Sequence, residues 1–492
     1  MQEVAMKNRV PFLTLICFWG IMIPSRIQAQ DPDTLWTLKL PGGAQQKGFS
    51  YVIPTQDNNY LAAGLSSTDS TLEDIWIVKF AKNGEILWNR TYITDTNNAW
   101  INENIRGITE TDNGDILVFV SNTQWEQYIL VLDSGGIITK LLKTMDSDDP
   151  YYVYCGINTS DGGYIIAGEH SVANGNNWLH YSWYRKIDSE GNTIWEHDFP
   201  PLTVQDRFMC MNKTPGGDFI LAGTSNAFNS DQDLLLAKIN QQGDTTWLKR
   251  WGTSSYDNPY EITPASDGGF IAACTKSAIS SHKGYLLKIN KDGNVEWHEM
   301  YNDYDDDQLF SVKQTTDNGY IATGSYTPYG ANRPRFWILK TDNMGKQIKS
   351  FHFGDEIKVY SGKSVIQVED GSYFAVGSCG DDGLIVKVSP NFGSLGLDED
   401  IRINNNLLHL EQNYPNPFSS STLISWQSKE PGHVQLVVYD FIGRKIQTLA
   451  DTKMPAVKHQ ITFDASGLPA GVYFYQLRFG NYIEMKKMIL TK

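Results

Sequence analysis

Cysteine is scarce in this chain. Beyond the first thirty residues only Cys155, Cys210, Cys274 and Cys379 remain among 492 residues. That is far too few for a disulfide-built scaffold, and none has the CxxC spacing of a zinc site. Long apolar runs are missing too: past residue 30 none approaches the length of a spanning helix, so no transmembrane segment is expected in the mature chain. Nine histidines are scattered, none in HExxH or HxH spacing, and neither GxSxG nor a P-loop occurs. The motifs of zinc proteases, α/β-hydrolases and P-loop enzymes are therefore absent. Basic charge is short as well. The net charge is −15, spread as +2 over residues 1–30, −21 over 31–411 and +4 over 412–492. An acidic body repels polyanions, so nucleic acid is not an expected partner.

What is present begins with a processing segment. Lys7 and Arg9 precede an apolar stretch, Val10 to Ile23, and Ile27-Gln28-Ala29 supplies a small-residue cleavage site. This reads as a signal peptide over 1–30, cut near Ala29 and Gln30. Cys17 follows Ile16, where a lipobox needs a small residue, so lipidation is not expected.

The body repeats itself. A turn of Asp, Asn and Gly leads into an aromatic and then an apolar-apolar-small-Gly run, as in Asp57-Asn58-Asn59-Tyr60-Leu61-Ala62-Ala63-Gly64 and Asp161-Gly162-Gly163-Tyr164-Ile165-Ile166-Ala167-Gly168. With the aromatic as ruler the units fall at Tyr60, Asp115 (the exception), Tyr164, Phe219, Phe270, Tyr320 and Tyr373, at spacings of 49 to 55 residues. A period near fifty is an array signature. Each unit reads as four short strands, the fourth marked Gly-x-x-x-Trp at Gly84…Trp88, Gly191…Trp195, Gly243…Trp247 and Gly293…Trp297. In the second and sixth units smaller or polar residues near Thr139 and Lys349 replace the Trp. The seventh unit stops after its third strand, while Leu35-Trp36-Thr37-Leu38 stands spare before the first. Pairing that strand with the last unit would close a ring and remove two exposed edges. The expected fold is all-β: a seven-bladed β-propeller of four-stranded repeats over 31–393.

The Asp188…Gly191…Trp195 pattern resembles the tryptophan-docking motif of quinoprotein-like propellers, in which the Trp packs between blades. The resemblance implies architecture and carries over no quinone ligand.

After a polar linker at 394–411 the pattern changes. Asn413-Tyr414-Pro415-Asn416-Pro417-Phe418, the strand Val434 to Asp440 with Gly443-Arg444, Gly467 to Tyr475 with Gly471 and Tyr473, and the terminal Lys486-Lys487-Met488-Ile489-Leu490 closely resemble the type A sorting domain of the type IX secretion system. Strand-like alternation in Val434, Leu436 and Val438 and the turn at Gly467-Leu468-Pro469-Ala470-Gly471 suit a small Ig-like β-sandwich over 412–492. The resemblance implies passage through the periplasm and an outer-membrane translocon, with the secretion machinery as partner and a secreted or surface product.

Chemistry is harder to find. Asp303, Asp305, Asp306 and Asp307 form an acidic run in an inter-unit loop. They are candidates for Ca²⁺, which takes six to eight oxygens, but they lack the DxDxDG loop and its distal Glu. Solvated loop charge is the competing reading, and no other cofactor is expected. His197 and His298 follow unit tryptophans and read as half-exposed strand residues. Cys155 and Cys210 hold equivalent first-strand positions and are expected as buried thiols rather than a bridge. Glycoside hydrolysis needs two facing carboxylates, which the sequence permits and does not place. No unit shows an unusual insertion. That regularity favours a binding module for an extracellular glycan or protein over a propeller hydrolase or lyase.

Overall fold

A computed structural model describes residues 25–27, 34–41, 48–392 and 408–491 apart from interior segments at 68–72, 95–101, 125, 146–150, 175–176, 200–204, 227–231, 254, 279–280, 302–305, 329–330, 332, 356, 391, 429–430, 441–443 and 480–481. The chain divides into two compact units, Met1–Gly393 and Ser394–Lys492. Among the described residues all regular structure is strand.

The first unit consists of four-stranded antiparallel sheets repeated along the chain. Their first strands are Gly48–Pro54, Glu103–Glu110, Tyr151–Asn158, Asp206–Lys213, Tyr256–Pro264, Gln308–Gln314 and Tyr360–Gln367, and we number the sheets I to VII in that order. Burial across a sheet explains the sequence pattern. The third strand of sheet I, Asp74–Phe80, is buried throughout, so it reads as a continuous apolar run. The fourth, Ile86–Tyr92, alternates, with one face toward solvent. First strands touch first strands, in the order I through VII and back from VII to I. They therefore surround a common axis.

The spare N-terminal strand falls where strand counting put it. Thr34–Pro41 pairs antiparallel with Asp382–Val388 as the outer strand of sheet VII, and Ser25–Ile27 lies along its far side. Trp36 then does in sheet VII what its counterparts do elsewhere. A Cβ at Gly84 of sheet I would lie 3.3 Å from its indole, and equivalent closeness joins Trp195 to Gly243, Trp247 to Gly293 and Trp297 to Gly345. Each Trp lies on the Gly turn of the next sheet, and Trp247 Nε1 donates to Lys291 O at 3.0 Å. Where sheet II lacks the Trp, Lys140 Nζ reaches across to Ser189 O at 2.5 Å. Leu38, Phe49, Tyr60, Trp76, Phe80 and Phe374 merge in one core that joins sheets VII and I. Each large side chain so buried contributes about 1.5–3 kcal/mol.

One repeated pairing carries no signal in the turn motif alone. The turn Asp receives a Lys from the third strand: Lys79–Asp57 at 2.7 Å, Lys288–Asp267 at 2.7 Å, Lys340–Asp317 at 3.0 Å and Lys387–Asp370 at 3.0 Å, with Lys186–Asp161 and Lys238–Asp218 alike. Asp57 is held down at about 2 although desolvation, the largest single effect, pushes it up, because hydrogen bonds from Lys79, Thr55 and Asn59 and the Lys79 charge together outweigh it; Asp161 is held at about 2 chiefly by its hydrogen bond from Lys186. The ruler also needs a correction. Glu110 pairs with Ile116 as Pro54 pairs with Tyr60, so in sheet II the aromatic place belongs to Ile116 and not to Asp115.

The second unit packs a three-stranded sheet (Leu408–Leu410, Ser421–Ser428, Lys458–Asp464) and a four-stranded one (Gly432–Asp440, Lys445–Met454, Gly471–Phe479, Tyr482–Leu490) on one core. Val434, Leu436, Val438, Trp426, Tyr475 and Met488 fill that core.

Candidate functional site

Every first strand of the first unit carries a bulge at the same place. The register skips one residue between Phe49 and Tyr51, Ile105 and Gly107, Val153 and Cys155, Phe208 and Cys210, Pro259 and Glu261, Leu309 and Ser311, and Gly362 and Ser364. A bulge leaves its extra residue outside the ladder and re-aims it. The extra residues, in ring order, are Ser50, Arg106, Tyr154, Met209, Tyr260, Phe310 and Lys363.

Five of these residues meet in two groups. Tyr260 and Phe310 stack edge to face with centroids 4.8 Å apart, and Lys363 Nζ lies 3.5 Å from the centre of the Phe310 ring. Arg106 lies over Tyr154 at 5.4 Å, and its Nε donates to Ser121 Oγ at 2.7 Å. Both contacts are cation–π pairs, which gain strength as water is excluded. Burial pulls Lys363 down to about 8 and Arg106 below its ordinary value. Burial also pushes Tyr51, next to the Ser50 bulge, up to about 12. Tyr260 nonetheless remains 40% exposed in an innermost strand, so solvent reaches its ring.

A second cluster stands beside the ring. The middle strands of sheet III, Tyr164–Asn174 and Asn177–Ile187, run eleven residues each, against seven for their counterparts in sheet I. Sheet III thus has an elongated hairpin, which corrects the expectation of units without insertions. His180 Nδ1 lies 2.6 Å from Glu169 Oε1 and 2.9 Å from Ser171 Oγ, and Arg207 Nη1 lies 3.8 Å from Glu169 Oε2. Tyr154 is raised by burial and by the Glu169 charge, with Arg207 opposing. The hairpin also exposes Trp178 at 59%.

The residues singled out by sequence do not build a site. Asp303 and Asp305 lie outside the described residues. Asp306 Oδ1 is 2.7 Å from His282 Nδ1, while Asp307 is buried and accepts from Thr327 N at 3.1 Å. Among the described residues no three His, Cys, Asp or Glu side chains gather as metal ligands. Cys155, Cys210, Cys274 and Cys379 are all buried free thiols, and burial drives the Cys155 thiol far up. His197 stacks on Tyr184 and His298 leans on Trp251. A cleft of about 450 Å³ between the turns of sheets V and VI contains Asp267, Lys288 and Glu296, whose charges are mutually paired. That pairing serves the fold.

The terminal motif residues prove to be latches. Asn413 N donates to Tyr475 Oη at 2.8 Å, and Asn413 Nδ2 to Thr422 Oγ1 at 2.9 Å. Asn416 Oδ1 accepts from Ile489 N at 2.9 Å, and Phe418 N donates to Ile489 O at 2.9 Å. The Asn-x-x-Asn-x-Phe turn therefore clamps the last strand, on which Lys486 and Lys487 stand. Tyr473 Oη closes on Pro469 O at 2.8 Å. Tyr414 is 80% exposed, and the Gly471 bounding that turn opens its strand. Pro415 O accepts from Thr422 Oγ1 at 2.8 Å, Pro417 lies within the same turn, and Gly443 is outside the described residues.

Residues 412–491 match the family described as the secretion system C-terminal sorting domain. They are a type IX sorting domain. The protein is accordingly exported through the periplasm to the cell surface or the medium, and the domain implies contact with the secretion machinery. A sequence search of curated proteins finds no match. Among solved structures the chain is similar to a PL25 ulvan lyase bound to a sulfated disaccharide repeat, at 10% identity and TM-score 0.47, covering 71% of this chain and 96% of that one. It is also similar to a copper-bound fungal alcohol oxidase of the AA5 family, at 10% identity and TM-score 0.43, covering 93% and 98%. PorZ, a type IX surface component of Porphyromonas gingivalis, aligns at 10% identity and TM-score 0.26 over 93% and 85%. No residue role passes from these likenesses to this chain.

Proposed function

We propose that the mature protein is a seven-bladed propeller at 31–393, joined by a linker at 394–411 to an Ig-like sorting sandwich at 412–492, once residues 1–30 are removed. The propeller is an extracellular binding module whose ligand, a polysaccharide, enters the axial opening. The observation behind this reading is the ring of bulged residues. The Trp, turn Asp and Lys positions recur from sheet to sheet and satisfy one another, whereas the ring residues differ in all but one pair and leave Tyr260 open to solvent. Exposed aromatic faces beside hydrogen-bonding groups are what sugar rings stack on.

The test is a carbohydrate array probed with the full chain and with Tyr260→Ala. Capture of a polysaccharide that Tyr260→Ala loses, with the melting temperature unchanged, supports the reading. Capture unaffected by Tyr260→Ala, or no capture at all, removes it.

A second reading, a polysaccharide lyase or hydrolase, draws on the His180–Glu169 pair. A histidine oriented by a carboxylate, with Arg207 close by, is the arrangement of a general base beside an anion holder. Release of new chain ends from a captured polysaccharide, abolished in His180→Ala, would establish it.

A further inference from the structure

Cations in the first unit mostly have carboxylates. Lys79, Lys186, Lys238, Lys288, Lys340 and Lys387 hold the turn aspartates. Arg250 faces Asp206, Lys313 pairs with Glu261, and Arg207 lies 3.8 Å from Glu169. The two half-buried cations among the bulge residues differ from these. Among the described residues Arg106 contacts a ring and a hydroxyl, and Lys363 a ring, and neither faces a carboxylate. They belong to sheets II and VII, the two neighbours of sheet I, so in the ring they flank Ser50. Ser50 is the smallest ring residue, and it is exposed. Past Phe310, the ring opposite this cationic arc continues with Tyr260 and Met209, a face of aromatic and apolar side chains.

From this division we infer that the axial site takes an anionic sugar, a carboxylated or sulfated residue of an acidic polysaccharide, with its charge drawn to the arc of the ring that runs Lys363, Ser50, Arg106 and its ring against the exposed Tyr260. Half-buried cations with no carboxylate partner are costly to hold and are compensated when an anion arrives. A neutral glycan would leave that cost standing. The acidity of residues 31–411 opposes any polyanion lying along the surface, an acidic polysaccharide included, so the attraction has to come from the single charged residue that reaches the two cations. A rod of nucleic acid lying on the surface meets repulsion, whereas one charged residue dipping into the axis meets the two cations. The inference deepens the axial-binding reading and rests on it.

The experiment compares matched polymers on the full chain: dextran sulfate against dextran for sulfate, and polygalacturonate against its methyl ester for carboxylate. At least one charged polymer binds and its neutral match does not. Lys363→Met weakens that binding by about tenfold, the scale of one lost charge-assisted contact. Lys363→Arg retains it, and Ser50→Glu, which places a carboxylate between the cations, abolishes it. Which charged polymer binds separates sulfate from carboxylate recognition. Equal capture of charged and neutral polymers overturns the inference, as does charged-polymer binding that survives Ser50→Glu. If a neutral polymer is captured and Tyr260→Ala loses it, the anion inference falls while the axial reading stands. If no polymer is captured, both fall.

Discussion

Lys363→Met is expected to stabilise the protein while weakening its ligand binding. The lysine sits at a bulge of an innermost strand with its ammonium over Phe310, and burial alone lowers it from 10.5 to about 8. At about 1.4 kcal/mol per unit, holding the charged form in the native state costs on the order of 3 kcal/mol near neutral pH. The Phe310 contact returns roughly 1 kcal/mol of that, and methionine keeps a comparable sulfur–aromatic contact. The expected gain is thus about 1–3 kcal/mol, a rise of roughly one to four degrees for a domain of this size. The pH dependence carries the sign. Because the native-state value is the lower one, the unfolded chain holds more protons between pH 8 and 10.5. Wild-type stability therefore rises with pH across that window, and the cost is constant below it. Urea unfolding followed by tryptophan fluorescence should show Lys363→Met ahead of wild type at pH 7 and the gap closing by pH 10. A variant less stable than wild type at pH 7, or a gap that ignores pH, would refute the account of Lys363 as an uncompensated buried charge.

Other outcomes follow from the frame. Trp247→Ala removes the indole lying on the Gly293 turn and its bond to Lys291 O; a loss of about 2–4 kcal/mol is expected by urea unfolding. Deleting Thr34–Pro41 uncovers the whole of Asp382–Val388, so size-exclusion chromatography should show aggregates formed through that open edge. Removing residues 412–492 should leave the chain in the periplasm, with none in the medium or surface fraction by mass spectrometry.

The sequence disclosed the frame because its positions recur. Turn Asp, Gly and aromatic mark one hairpin, Gly-x-x-x-Trp marks another, and Trp36 standing before the first unit gave away the closure. Two features were harder to read, for identifiable reasons. In sheet II no aromatic follows the turn, so the spacing ruler falls on Asp115, one place early. In sheet II the turn bond from Thr111 N reaches Asp115 O, as that from Thr55 N reaches Asn59 O, and an isoleucine simply fills the next place. The elongated hairpin of sheet III was hidden because spacing between units sums all their loops. A longer hairpin at Ser171 to His180 gives the same spacing, 55 residues, as the first interval of the ruler.

The ring was illegible for a deeper reason. A bulge is a fact about register between two strands, and a single strand's alternation does not contain it. Cys155 is a repeated position, yet the residue that the bulge releases is its neighbour Tyr154. Its equivalents run Ser, Arg, Tyr, Met, Tyr, Phe, Lys and so match no pattern. That lack of pattern is physically meaningful. A residue that pairs with the same partner in every sheet is held to one type by that partner, as the third-strand lysines are held by the turn aspartates. A residue released from the ladder toward an open axis has no such partner to constrain it. Within a repeat, positions of constant type answer to one another. On the proposed reading, the position whose type wanders, at fixed place and without a carboxylate partner, is the one that answers to a ligand.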